Sequence, residues 1–114
     1  MIDVNIFRNE RGGIRLDISG HAERGEESAE LVCAAVSSVF YSLSGYLYNF
    51  CKENLKIHVL TSGHADIECG IEGEEAMKMA LLGIWQLALS YPQHLYVRNS
   101  AFNWKMRSCI DVSV

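Results

Sequence analysis

The chain has 114 residues, 49% of them hydrophobic, and a formal net charge of −4 at pH 7. That length fits one domain spanning residues 1–114, able to bury roughly two thirds of its unfolded surface without disulfide staples. The acidic balance argues against general nucleic-acid binding, which needs a basic footprint. One proline and nine glycines exclude a linker-rich chain, and no apolar run approaches the ~20 residues of a membrane span.

Ile2, Val4 and Ile6 alternate with Asp3 and Asn5, which predicts a half-buried strand. Gly12-Gly13 signals a turn. Ile14, Leu16 and Ile18 then alternate with Arg15, Asp17 and Ser19 and complete a hairpin that runs into Gly20 and His21. Residues 22–27 are charged and contain Gly25, as an exposed loop would. Ser28 is placed to cap a helix, with Glu30 in its first turn complementing the dipole. Val32, Val36, Val39, Leu43 and Leu47 recur at spacings of three and four and form the buried stripe of that helix, which runs to about Phe50.

Leu55, Ile57 and Val59 predict a third strand, Ser62-Gly63-His64 a turn, and Ile67, Cys69 and Ile71 a fourth strand. Glu74 and Glu75 open a second helix with the stripe Met77, Leu81, Ile84, Ala88 and Tyr91, ended by Pro92. A short strand over 94–98 follows. Phe102, Trp104, Met106 and Ile110 have no clear period, so residues 99–114 fit another strand or an arm packed on a partner. The order β-β-α-β-β-α(-β) predicts an α+β fold, an antiparallel or mixed sheet with two main helices packed on it.

Cysteines stand at 33, 51, 69 and 109 with no CxxC spacing. Met1 to Glu10 alternates instead of carrying a basic head and an apolar middle, unlike a signal peptide. Reduced thiols and a cytoplasmic location are therefore expected. His58, His64 and Cys69 lack the close-spaced pairs of a zinc site, so no metal and no cofactor are expected.

The chemistry concentrates in Gly20-His21-Ala22 and, twelve positions after the histidine, Cys33 in Leu31-Val32-Cys33-Ala34-Ala35-Val36-Ser37. An imidazole at a strand end and a thiol just inside a helix suit the formation of a thiolate, the nucleophile of a cysteine protease. Cys33 lies about 100° round the helix from Val32, at the margin of the apolar stripe. Glu30, Cys33 and Ser37 share one side, and a glutamate there implies a partly polar cleft. A buried cysteine, a turn histidine and a solvated serine are the plainer alternatives for the same residues.

These two blocks at their fixed separation resemble the ribosomal-processing cysteine protease family, Prp. The resemblance covers most of the chain. It implies a small, dimeric α/β protein that trims the N-terminal extension of large-subunit ribosomal protein twenty-seven, cutting after an aromatic residue. It implies His21 and Cys33 as the catalytic pair, with Gly20, Glu30 and Ser37 supporting the site or the substrate, and a mobile loop between the pair. The family usually has aspartate where Glu30 stands, glycine where Ser28 stands and an aromatic residue where Arg24 stands. The alternative function is a non-catalytic module that holds a ribosomal or other basic segment in the same cleft. Neither reading involves direct contact with nucleic acid or a membrane.

Overall fold

The computed structural model describes residues 1–103 and 105. Five strands, β1 (Ile2–Arg8), β2 (Ile14–Gly20), β3 (Lys56–Thr61), β4 (His64–Cys69) and β5 (Leu95–Asn99), form one sheet in the order β3-β4-β2-β1-β5. All neighbours are antiparallel except β1 and β5, which run parallel. Helix α1 (Ala29–Phe50) connects the two hairpins, and α2 (Glu74–Ser90) makes the crossover into β5. The fold is α+β with a mixed sheet and two main helices.

The strand alternation sets the layers. Ile2, Val4 and Ile6 of β1, Ile14, Leu16 and Ile18 of β2, and Ile67 and Cys69 of β4 are buried on one face. Val32, Val36, Phe40, Leu43 and Leu47 of α1 and Met77, Ala80, Leu81 and Ile84 of α2 complete that core. Phe40 takes the buried place expected for Val39, which is only half-buried.

Several expectations are corrected. A bulge between Ile57 and Val59 breaks the alternation of β3: Ile57 pairs with Ile67 and Leu60 with Ala65, while Val59 pairs with Asp66. β3 is also an edge strand that the helices leave uncovered, so Ile57 and Leu60 stay more than half exposed. Ile71 is not in β4; it stands exposed in a short 3₁₀ turn, Ile71–Gly73, that reverses the chain into α2. Ser28 precedes α1 but makes no side-chain capping bond, and its φ of 69° is left-handed. That conformation favours glycine. His94 precedes β5 and is fully buried.

Helix α1 is long and apolar enough to cross a membrane, with mean hydropathy 1.4. Ser37, Ser38 and Ser44 interrupt its apolar run without adding charge, which hid this in the sequence. Its stripe from Ala29 to Leu47 packs in the domain core. In the C-terminal segment, Phe102 is buried, with the Arg8 guanidinium and the Lys78 ammonium over its ring. Trp104, Met106, Cys109 and Ile110 lie outside the described residues.

The other sheet face carries a ladder of charges. Arg15 clamps Asp66 with two hydrogen bonds of 2.8 and 2.6 Å, and His64 meets Asp17 at 2.7 Å. His58 and the Asn9 amide both bond Glu68, at 2.7 and 2.6 Å. The Arg15 hydrogen bonds hold the Asp66 carboxyl below its ordinary range against the opposing effect of burial. The His58 bond does the same for Glu68. A depressed folded-state pKa contributes stability above the unfolded value, about 4 for a carboxylate, and loses it as pH falls through the folded value. Urea midpoints measured between pH 7 and pH 2 are therefore expected to drop most steeply below about pH 4. The Asp66→Asn variant should show a shallower acid slope; an unchanged slope would dismiss the Arg15–Asp66 contribution.

Candidate active site

A cleft of about 580 Å³ opens between α1 and the end of the sheet where β2 and the β3–β4 hairpin meet. One row of α1 forms a wall: Cys33, Val36, Ser37, Phe40 and Tyr41, at offsets of three, four, seven and eight residues. Gly20 and His21, at the end of β2, form the second wall, and residues 60–65 of the β3–β4 hairpin the third. Ile2, Ile18, Leu60 and Ala65 make much of the lining apolar.

The backbone explains how His21 arrives there. Gly20 has a φ of 95°, and a Cβ at that position would run into the Met1 carbonyl oxygen. The chain thus turns where only glycine fits, next to the start of β1. The N-terminal ammonium then donates to the His21 carbonyl at 2.7 Å. Beyond His21, the connection to α1 is pinned at its far end by His94, whose Nε2 donates to the Glu27 carbonyl at 2.8 Å. His94 Nδ1 is buried without a hydrogen-bond partner among the described residues, 4.0 Å from a Glu26 carboxylate oxygen. Glu23, Glu26, Glu27 and Glu30 are exposed along this segment, which joins His21 to the helix that carries Cys33.

Of the five residues singled out in the sequence, the structure brings Gly20, His21, Cys33 and Ser37 to the cleft. The Glu30 side chain is exposed, outside the lining, and makes no hydrogen bond or ion pair with a described residue. Cys33 is half-buried, whereas Cys51 and Cys69 are buried. Burial pushes the Cys69 thiol up to about 11, and the Cys51 thiol points at the Glu72 carbonyl, 3.5 Å away. Among the described cysteines, Cys33 alone lines the cleft that His21 also lines.

The hairpin wall and Tyr41 line the cleft beyond the residues that the sequence motifs point to. Tyr41 was within reach of helical spacing, four residues beyond Ser37 on the same row. Leu60, Thr61 and Ser62 carried no such signal, because they reach the cleft through long-range pairing of β4 with β2, in which Ser19 stands opposite His64. His64 itself lies on the charged face with Asp17 and Asp66, and the three offer ligand atoms within 4.8 Å of one another. Asp66 already gives both oxygens to Arg15 and Asp17 already accepts from His64. A guanidinium in contact with the group disfavours a cation there.

Residues 1–96 match the family model described as Cysteine protease Prp. The chain belongs to the cysteine protease Prp family. Among solved structures, the Prp fold of this chain is similar to that of the essential ribosomal processing protease Prp from S. aureus in complex with a substrate peptide. That pair has 22% identity and a TM-score of 0.73, over 86% of this chain and 98% of that one. The same S. aureus protease with a covalently linked product peptide gives 23% identity and a TM-score of 0.72, over 85% and 97% of the two chains. A Streptococcus mutans protein gives 26% and 0.68, over 86% and 92%. Among curated proteins, none is a significant sequence match.

Proposed function

We propose that this chain is a cytoplasmic cysteine endopeptidase that removes the N-terminal extension of large-subunit ribosomal protein twenty-seven, with Cys33 as nucleophile and His21 as base. The observation that carries this reading is that a half-buried cysteine and an imidazole line one cleft, while the other described cysteines are buried. Family membership supports it. So do the substrate and covalently linked product peptides held by the S. aureus relative.

His21 takes the Cys33 proton, and the thiolate adds to the scissile carbonyl carbon. The tetrahedral intermediate collapses to a thioester as the C–N bond breaks, and the imidazolium gives its proton to the leaving amine. Water, deprotonated by His21, then attacks the thioester and frees the new carboxylate and the thiol. Tyr41, Phe40 and Leu60 offer an apolar surface for an aromatic residue before the cut. The exposed glutamates between His21 and Cys33 would attract a basic ribosomal segment. Homodimerisation belongs to the same proposal: α1 exposes Tyr46, Tyr48 and Phe50, and α2 exposes Met79 and Leu89, apolar surface of the kind that subunit contacts cover.

The test is incubation with a synthetic peptide spanning the extension and the start of the mature ribosomal protein, followed by mass spectrometry. A single cut after the aromatic residue is expected. An intact peptide that binds the cleft without being cut would favour the binding-module alternative.

A further inference from the structure

We infer that Gly63, at the tip of the β3–β4 hairpin, is a positioning residue for the imidazole of His21; the inference rests on the dyad proposed above. A Cβ added at Gly63 would lie 2.5 Å from His21 Nε2, 3.2 Å from Cε1 and 3.3 Å from Cδ2. The ring therefore occupies the space that any other residue at 63 would claim. The turn cannot retreat from this contact, because the Gly20 N–H donates to the Gly63 carbonyl at 2.9 Å, tying it to the residue before His21. The β2–β4 pairing of Ser19 with His64 fixes the same neighbourhood one step on.

The His21 ring makes no hydrogen bond to a described residue. A catalytic base is commonly oriented by a third group, often a carboxylate. Here that orienting work falls to shape: the bare backbone of the hairpin tip defines where the ring lies. Because the atoms nearest the added Cβ belong to the end of a side chain, a substitution at 63 swings the imidazole away and leaves the sheet in place.

Gly63 has a φ of 81°, so a substitution also strains the backbone. Gly12 supplies the control. Its φ is 83°, and nothing lies within 4 Å of an added Cβ, so Gly12→Ala reports strain without contact. Gly63→Asn adds a second arm, since asparagine tolerates the left-handed region better than alanine while carrying the same Cβ.

The experiment measures peptide cleavage and the pH dependence of Cys33 alkylation by iodoacetamide in the full chain and in Gly63→Ala, Gly63→Asn, Gly12→Ala and His21→Ala. Both Gly63 variants are expected to lose about 10–100-fold in kcat with little change in KM, on the scale of a misplaced catalytic group. Their alkylation profiles should move toward that of His21→Ala, and Gly12→Ala should keep the parent profile and kcat. Should Gly63→Ala not fold, Gly63→Asn decides alone. Parent kcat and profile in Gly63→Asn, with His21→Ala inactive, overturn the role of Gly63 and leave the dyad standing. Parent activity in His21→Ala removes the dyad itself and this inference with it.

Discussion

Cys33→Ala is expected to abolish peptide cleavage, and His21→Ala to lower kcat by about 10²–10⁴-fold. The two losses differ because the residues do different work. Without the sulfur no thioester forms, and no second cysteine stands ready among the described residues: Cys51 is buried, and Cys69 is buried with its thiol pushed up to about 11. Without the imidazole the nucleophile remains, but water must take its proton and protonate the leaving amine, which it does less effectively. Neither substitution should threaten the fold, since Cys33 is half-buried at the edge of the core and His21 is exposed. Cleavage is best read in single turnover with enzyme in excess, by mass spectrometry, beside the far-UV circular dichroism of each variant. Parent-level turnover by a folded Cys33→Ala protein would end the proteolytic reading.

The parts of this fold legible in sequence are those set by local periodicity. β1 and β2 alternate cleanly, and the tight connection between them makes their pairing a local matter, with Val4 opposite Ile18 and Ile6 opposite Leu16. In β3 local alternation fails, because a bulge inserts a residue with no sequence signature and shifts Leu60 to the helix-side face. At the end of β4 apolar alternation continues to Ile71, past the point where Gly70 turns the chain. Ser28 has the right composition for a cap but a left-handed backbone, a geometry decided by how the loop must enter α1.

The site divides in the same way. His21 and Cys33 were legible because each sits at the boundary of an element that the pattern predicts. The hairpin wall was not, since β4 reaches β2 only after α1 has crossed the sheet, and no local pattern encodes that partnership. Glu30 shares a helical side with Cys33, yet it lies toward the start of α1, outside the cleft lining. Helical spacing gives a direction round the axis and says nothing of how far the neighbouring wall extends. His94 read as a strand residue, and its burial beneath the Glu27 carbonyl follows from the packing of loop on crossover.

The largest expected effect on stability comes from Leu47→Ala, at about 2–5 kcal/mol. Leu47 is fully buried on α1. Its Cδ2 would stand 2.8 Å from a Cβ at Gly73, as would Cys69 Sγ at 2.6 Å, so helix, sheet and the 3₁₀ turn all close on this side chain. Truncation leaves a cavity that the turn cannot fill, because Gly73 has no side chain to offer. The urea midpoint should fall by at least about 1 M at an unchanged m value. Ile57→Ala, on the exposed edge strand, should stay within about 0.5 kcal/mol of the parent. Leu47 lies fourteen residues beyond Cys33 on the same helix, about 21 Å along its axis. The folded fraction of Leu47→Ala should therefore alkylate Cys33 at the parent rate. A slower rate at full folding would mean that α1 transmits the defect along its length, and the cleft wall would then depend on core packing far from the sulfur.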